Sequence, residues 1–160
     1  MNSVAAQKAN KGDKYRVSMA ATFAVASELS RRGYNVGLTV GNTPKVDLIC
    51  SMPDGKAFKV QVKGLSGEHG VYIQTYFFSE PAQEDLFLIV VVVPPLPESY
   101  GPKFFVLTHT QAIEEWKEGC TARTIEQWKR DQMKNNSPDG LRWKNIKRYP
   151  DKWEVLPKLS

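Results

Sequence analysis

The sequence predicts a mixed α/β sandwich, and three observations carry that prediction. Leu86 to Val93 is a continuous apolar, largely β-branched run closed by Pro94-Pro95-Leu96-Pro97, as in a central strand buried on both faces. Two alternating segments upstream of it are joined by the turn sequence Pro53-Asp54-Gly55. An alanine-rich helical stretch precedes them, and helical spacing resumes after the strands. With 41% apolar and 24% charged residues, the 160-residue chain has the balance of one globular domain, not of a disordered or fibrous polymer.

Residues 1–14 are small and polar and are expected to be flexible. Val17, Ala20, Ala21, Ala24, Val25 and Leu29 recur at helical spacing, which predicts a helix from Tyr15 to Arg32, stopped by Gly33. Its alanines would let it lie close against a sheet. Tyr34 to Val40 alternates as a strand, and 41–44 is a loop. Val46 to Met52 and Lys56 to Lys63 form the hairpin. A further short strand is expected at Val71 to Thr75, then a polar turn or short helix at Ser79 to Asp85. Phe104 to Leu107 is the last strand. Thr108 can cap a helix containing Ala112, Ile113 and Trp116, with Glu114, Glu115 and Glu118 on its wet side. Thr121 to Lys134 reads as a second helix, and 135–160 as irregular or short-stranded.

The net charge of +5 is unevenly placed. Residues 1–120 are neutral overall, and the excess sits in the last forty, close to all four tryptophans, Trp116, Trp128, Trp143 and Trp153. A basic, aromatic segment suits a polyanion. It equally suits a solvated face whose tryptophans pack on the sheet. Cys50 and Cys120 are too few for a disulfide framework and fit a reducing cytoplasm. No apolar run is long enough for a membrane helix, and the start of the sequence lacks a secretory signal.

The hairpin carries the chemistry. A three-residue Pro-Asp-Gly loop pairs Met52 with Lys56, hence Cys50 with Phe58, Leu48 with Val60 and Val46 with Val62, one apolar face. The same register sets Asp47 opposite Gln61, with Lys63 two residues on; Ile49 is the one misfit on that polar face. A carboxylate and an amide oxygen are ligands for Mg²⁺, which takes oxygen donors and keeps several waters. An ammonium beside them can orient the attacking water or stabilise developing charge on a phosphate. The plain alternative is a hairpin with a solvated polar face.

The string PKVDLIC…KVQVKG, behind a helix ending RRGYNV, resembles the PD-(D/E)xK nuclease superfamily, nearest to its modified-DNA restriction branch and Holliday-junction resolvases. Pro44 and Asp47 match the first half of the motif, and Gln61-Val62-Lys63 the second. The resemblance implies a restriction-endonuclease-like core, α-β-β-β-α-β, over about 15–110, with 111–160 a basic, tryptophan-containing extension packed on the same domain. It implies that Asp47, Gln61 and the Val62 carbonyl bind Mg²⁺, with Mn²⁺ as a substitute. It also implies that Lys63 is catalytic and that the substrate is DNA. Two positions depart from the pattern. Gln61 stands where glutamate is usual, and Thr22 where many relatives place a glutamate on the first helix; Glu28 lies six residues later, turned around it.

Lys45, Lys59, Arg142, Lys144, Lys147 and Arg148 are the candidate phosphate contacts, and the last four interleave with aromatics as backbone-tracking surfaces do. His69, on a polar loop past Lys63, is within reach of a bound phosphate or is simply a loop histidine. His109 reads as a helix start. Exposed tryptophans would suit a homodimer. The expected activity is Mg²⁺-dependent hydrolysis of DNA phosphodiester bonds. Its alternative is a catalytically inactive module of the same fold that binds nucleic acid or protein.

Overall fold

A computed structural model of the chain describes residues 11–40, 46–95, 100–119, 126, 130 and 140–159. Helix α1 (Lys11–Arg31) leads into strands β1 (Asn35–Leu38), β2 (Leu48–Ser51) and β3 (Ala57–Leu65). Strands β4 (Leu86–Val92) and β5 (Lys103–Thr108) follow, then helix α2 (His109–Gly119). The last segment holds a short helix, α3 (Trp143–Ile146), and a 3₁₀ turn at Trp153–Val155. The expected helix over Thr121–Lys134, with Trp128 and Cys120, lies almost wholly outside the described residues.

Helix α1 starts at Lys11, so residues 11–14, expected to be flexible, form its first turn, where Asp13 suits the positive end of the helix. It ends as Gly33 predicts. The Gly33 N–H donates to Ser30 and the Tyr34 N–H to Leu29, with Gly33 at φ +98°. The five strands form one mixed sheet in chain order, and only β3 and β4 run parallel.

That parallel pair needs a crossover, and here the chain departs from the implied α-β-β-β-α-β order. The connection carries a single 3₁₀ turn, Thr75–Phe78, and no α-helix among its residues. The strand expected at Val71–Thr75 is reduced to one bridge, Val71 to Leu141. The cause is local. Gly67, Gly70 and Pro81 break the connection into short pieces, and Ile73, Phe77 and Phe78 drive those pieces into the core instead.

All seven residues of β4 are buried, as its apolar run requires. On one face Val60, Val62, Phe87, Ile89 and Val91 pack against Ala21, Val25 and Leu29 of α1. On the other, Leu86, Leu88 and Val90 pack with Phe77, Phe78, Ala112, Ile113 and Trp116. The carboxy-terminal segment closes both faces, giving Leu141 and Ile146 to the second and Trp153 and Leu156 to the first. Trp116 stacks on Phe78, Trp143 meets Phe105 edge-on, and Trp153 meets Phe104 with Arg32 over its ring. The three described tryptophans thus pack into the fold, Trp116 and Trp153 buried and Trp143 partly so, in place of the exposed positions expected of them.

Helix α2 is capped reciprocally: Thr108 Oγ1 accepts from the Gln111 N–H, and Gln111 Oε1 accepts from the Thr108 N–H. Glu115, expected on the wet side, is only 6% exposed. It accepts hydrogen bonds from Asn145, Arg148 and Tyr149, which tie the last segment to α2. Burial among these groups raises the Tyr149 phenol well above its ordinary value. Burial likewise pushes the Cys50 thiol up to about 12, so it is a packing residue.

Candidate functional site

The hairpin that holds the site forms for the reasons its sequence gives. The Met52 N–H donates to Lys56 at 2.8 Å and the Gly55 N–H to Met52 at 2.9 Å, with Gly55 in the left-handed region at φ +85°. Leu48 faces Val60 and Cys50 faces Phe58, the register the turn dictates. The ladder continues one residue past β2, where the Asp47 N–H donates to Val60 at 2.9 Å. Thr39 Oγ1 donates to the Val46 carbonyl and braces this end.

Asp47 and Gln61 therefore meet. Asp47 Oδ2 accepts from Gln61 Nε2 and, at 2.7 Å, from the Val62 N–H. A carboxylate only accepts, so the amide must present its nitrogen, and Gln61 Oε1 turns away from Asp47. Glutamate at 61 would set two carboxylates against each other; glutamine turns that repulsion into a hydrogen bond. Burial raises the Asp47 carboxyl above its ordinary value, opposed by the Val62 hydrogen bond and by the charge of Lys63.

Helix α1 closes the site from the other side. A Cβ on Gly64 would stand 2.7 Å from the Val17 carbonyl oxygen and 2.9 Å from the Ala21 Cβ, so helix and strand touch backbone to backbone there. That contact brings Asp13, Lys14, Val17 and Ser18 to the wall of a cleft of about 460 Å³ that also contains Asp47, Gln61, Lys63 and His69. A second hollow of about 230 Å³ shares Asp47, Gln61, Lys63 and Tyr72 and adds Gln74, Tyr76 and Phe77. The three predicted site residues converge on both.

The donor set suits a hard cation. Both hydrogen bonds to Asp47 use Oδ2, leaving Oδ1, and Gln61 Oε1 is a second oxygen. The Val62 carbonyl shares the side of β3 from which its own N–H reaches Asp47. Among the described residues there is no cluster of three histidine, cysteine or acidic side chains that could hold a metal by itself. These residues fit a Mg²⁺ ion that keeps water and phosphate in its shell, and not an all-protein cage.

The other candidates divide. Lys59 Nζ donates to Gln83 at 2.9 Å and pairs with Asp85 at 3.2 Å, so it braces the start of β4. Arg148 is held by Glu115 and by both oxygens of Glu118, which neutralise it as a phosphate contact. Arg142 follows Leu141, whose bridge to Val71 docks the segment beside the cleft, and the Arg142 Cα lies 3.7 Å from where a Gly70 Cβ would be. Lys144 and Lys147 are exposed. Pro44 and Lys45 lie outside the described residues. His69 is exposed on the cleft rim, with Nδ1 2.8 Å from the Gly70 carbonyl. Thr22 bonds back to Ser18 within α1, and Glu28 pairs with Arg31 and Arg32.

Sequence reasoning missed Asp13, Tyr72 and Tyr76. Asp13 is an acid in the first turn of a helix, a signal present in the sequence but assigned to a flexible segment; it pairs with Arg16. The tyrosines carry no local signal, because an irregular crossover brings them to the site.

No family model and no curated protein matches the chain. A solved bacterial homing endonuclease, I-Ssp6803I, is similar over 64% of this chain and 68% of that one, with 18% identity and a TM-score of 0.39. Among the described residues no helix is long and apolar enough to cross a membrane.

Proposed function

We propose that this chain is a Mg²⁺-dependent endonuclease that hydrolyses phosphodiester bonds of DNA. One observation supports the reading above the rest: Asp47, Gln61 and Lys63, the three polar positions of the motif, line one cleft in the register their turn dictates. Asp47 and Gln61 would hold the ion, with the Val62 carbonyl beside them. A bound Mg²⁺ supplies Lewis-acid polarisation of the phosphoryl oxygen and a more acidic water. Lys63 would orient the attacking water or balance charge on the phosphate. The Val62 N–H fixes the Asp47 carboxylate before substrate arrives. Lys14 on the same wall, and Arg142 behind Gly70, supply positive charge for the flanking phosphates.

The test is nicking of supercoiled plasmid in Mg²⁺. Asp47→Ala and Lys63→Ala should each lower the rate by about 100-fold or more while their melting curves stay cooperative. A wild-type protein that cuts no form of DNA in Mg²⁺ or Mn²⁺ would overturn the reading. One observation favours a binding module without chemistry: the Gln61 amide nitrogen and the Val62 N–H both occupy Asp47 Oδ2, a pairing that a structural carboxylate would also make. Calorimetry with Mn²⁺ separates the two, since only the enzyme should give a heat of binding that Asp47→Ala removes.

A further inference from the structure

We infer that the smaller hollow beside Lys63 is a subsite for an unstacked nucleobase, so that the preferred substrate carries an unpaired nucleotide at the attacked phosphate. The inference rests on the nuclease reading for the placement of that phosphate and extends it to the class of substrate.

Four features of the hollow carry it. Tyr72 is 63% exposed and Tyr76 46%, and both residues line the space that also contains Asp47 and Lys63. Tyr72 lines both hollows, as Asp47, Gln61 and Lys63 do, so it borders the phosphate side and the smaller space alike. Gln74 lines it as well, and its amide offers both a donor and an acceptor to a base edge. The platform is also fixed from behind. Ile73 and Phe77, which alternate with these residues, are buried. The fully buried His109 donates through Nε2 to the Phe77 carbonyl at 2.6 Å and accepts the Gln83 N–H at Nδ1. This holds the imidazole in one neutral tautomer and pins the crossover that presents the tyrosines.

Aromatic faces, an amide at the side and a cation at one end are the complement of a single nucleotide. Stacking on protein aromatics recognises any base, but only one out of its own stack. A fully paired duplex keeps those faces covered and would leave the hollow empty.

Fluorescence anisotropy in EDTA, where no cleavage intervenes, tests this with three labelled probes: a paired duplex, the same duplex with one unpaired nucleotide, and the single strand. The wild type should bind both unpaired probes about tenfold more tightly than the duplex. Tyr72→Ala and Tyr76→Ala should each remove most of that preference, read as the ratio of unpaired-probe to duplex affinity within the same variant, while Tyr72→Phe and Tyr76→Phe keep it. Equal affinity for all probes, or a preference that survives both alanine variants, would overturn the subsite. Asp47-dependent cleavage without any preference for unpaired probes removes the subsite and keeps the nuclease. A preference that depends on the tyrosines, in a protein that never cleaves, does the reverse.

Discussion

Asp47 carries a carboxyl whose burial opposes its ionisation. Burial raises its carboxyl above the ordinary 3.8, while the Val62 N–H and Lys63 only partly offset that. A raised folded-state value means that the folded protein binds the proton more tightly than the unfolded chain does. In EDTA this group should therefore make stability fall as pH rises from about the ordinary value through the folded one. Asp47→Asn should abolish cleavage, lack that fall, and melt at or above the wild type at neutral pH, which thermal melts across the acid range would show. A mutant melting well below the wild type would mean that the hydrogen bonds at Oδ2 outweigh the burial of charge. Glu115 is a buried carboxylate that accepts hydrogen bonds from Asn145, Arg148 and Tyr149. Glu115→Ala would leave the Asn145 amide unpaired and strip one partner from Arg148, costing about 2–4 kcal/mol in denaturant unfolding. Nothing in the sequence marks Glu115 apart from Glu114 and Glu118, because its partners lie thirty residues or more along the chain in an irregular segment.

The hairpin was legible because both of its determinants are local. Pro53-Asp54-Gly55 selects a three-residue loop, and the alternation on either side tolerates one register only. Asp47, Gln61 and Lys63 come together as a consequence. The crossover from β3 to β4 was not legible, since its shape is set by where Ile73, Phe77 and Phe78 can be buried. The approach of α1 lies between these extremes. The alanines predicted a close fit, and Gly64 is where it occurs. A methyl group there would meet the Val17 carbonyl, a backbone atom that can move only with the helix. Gly64→Ala should cost about 1–3 kcal/mol and push α1 outward. It should also lower cleavage more than the lost stability accounts for, because α1 carries Asp13, Lys14 and Ser18 to the cleft. Urea unfolding and a rate measured well below the melting point separate the two effects. A stable variant with unchanged rate would show that the α1 wall takes no part.

The last twenty residues show how a composition signal can be read correctly and still mislead. The basic, aromatic content of the last forty residues suggests a polyanion surface with equal weight given to packing, and in the described part, 140–159, packing has taken the aromatics and Arg148, while Arg142, Lys144 and Lys147 remain outside. The segment has become the second cover of the sheet on both faces, anchored by the Val71–Leu141 and Phe105–Pro150 bridges. Gly140 permits the first of these. At φ +101° a Cβ would collide with the Val71 carbonyl oxygen, so the chain can enter beside the crossover only with glycine at that position. Leu141, Ile146, Trp153 and Leu156 are each buried, and a buried apolar side chain contributes about 1.5–3 kcal/mol. A domain of this size is stable by about 5–15 kcal/mol in total, so losing four such anchors removes most of the margin. A chain ended at residue 139 should therefore show no cooperative thermal transition by circular dichroism and should bind dyes that report exposed apolar surface. The full chain with Arg142, Lys144 and Lys147 changed to glutamine should melt normally and lose only salt-sensitive DNA affinity. If the shortened chain instead melted cooperatively, the sheet would be closed by α1 and α2 alone. The basic segment would then be a separable appendage whose role at the cleft could be tested by adding it back as a peptide.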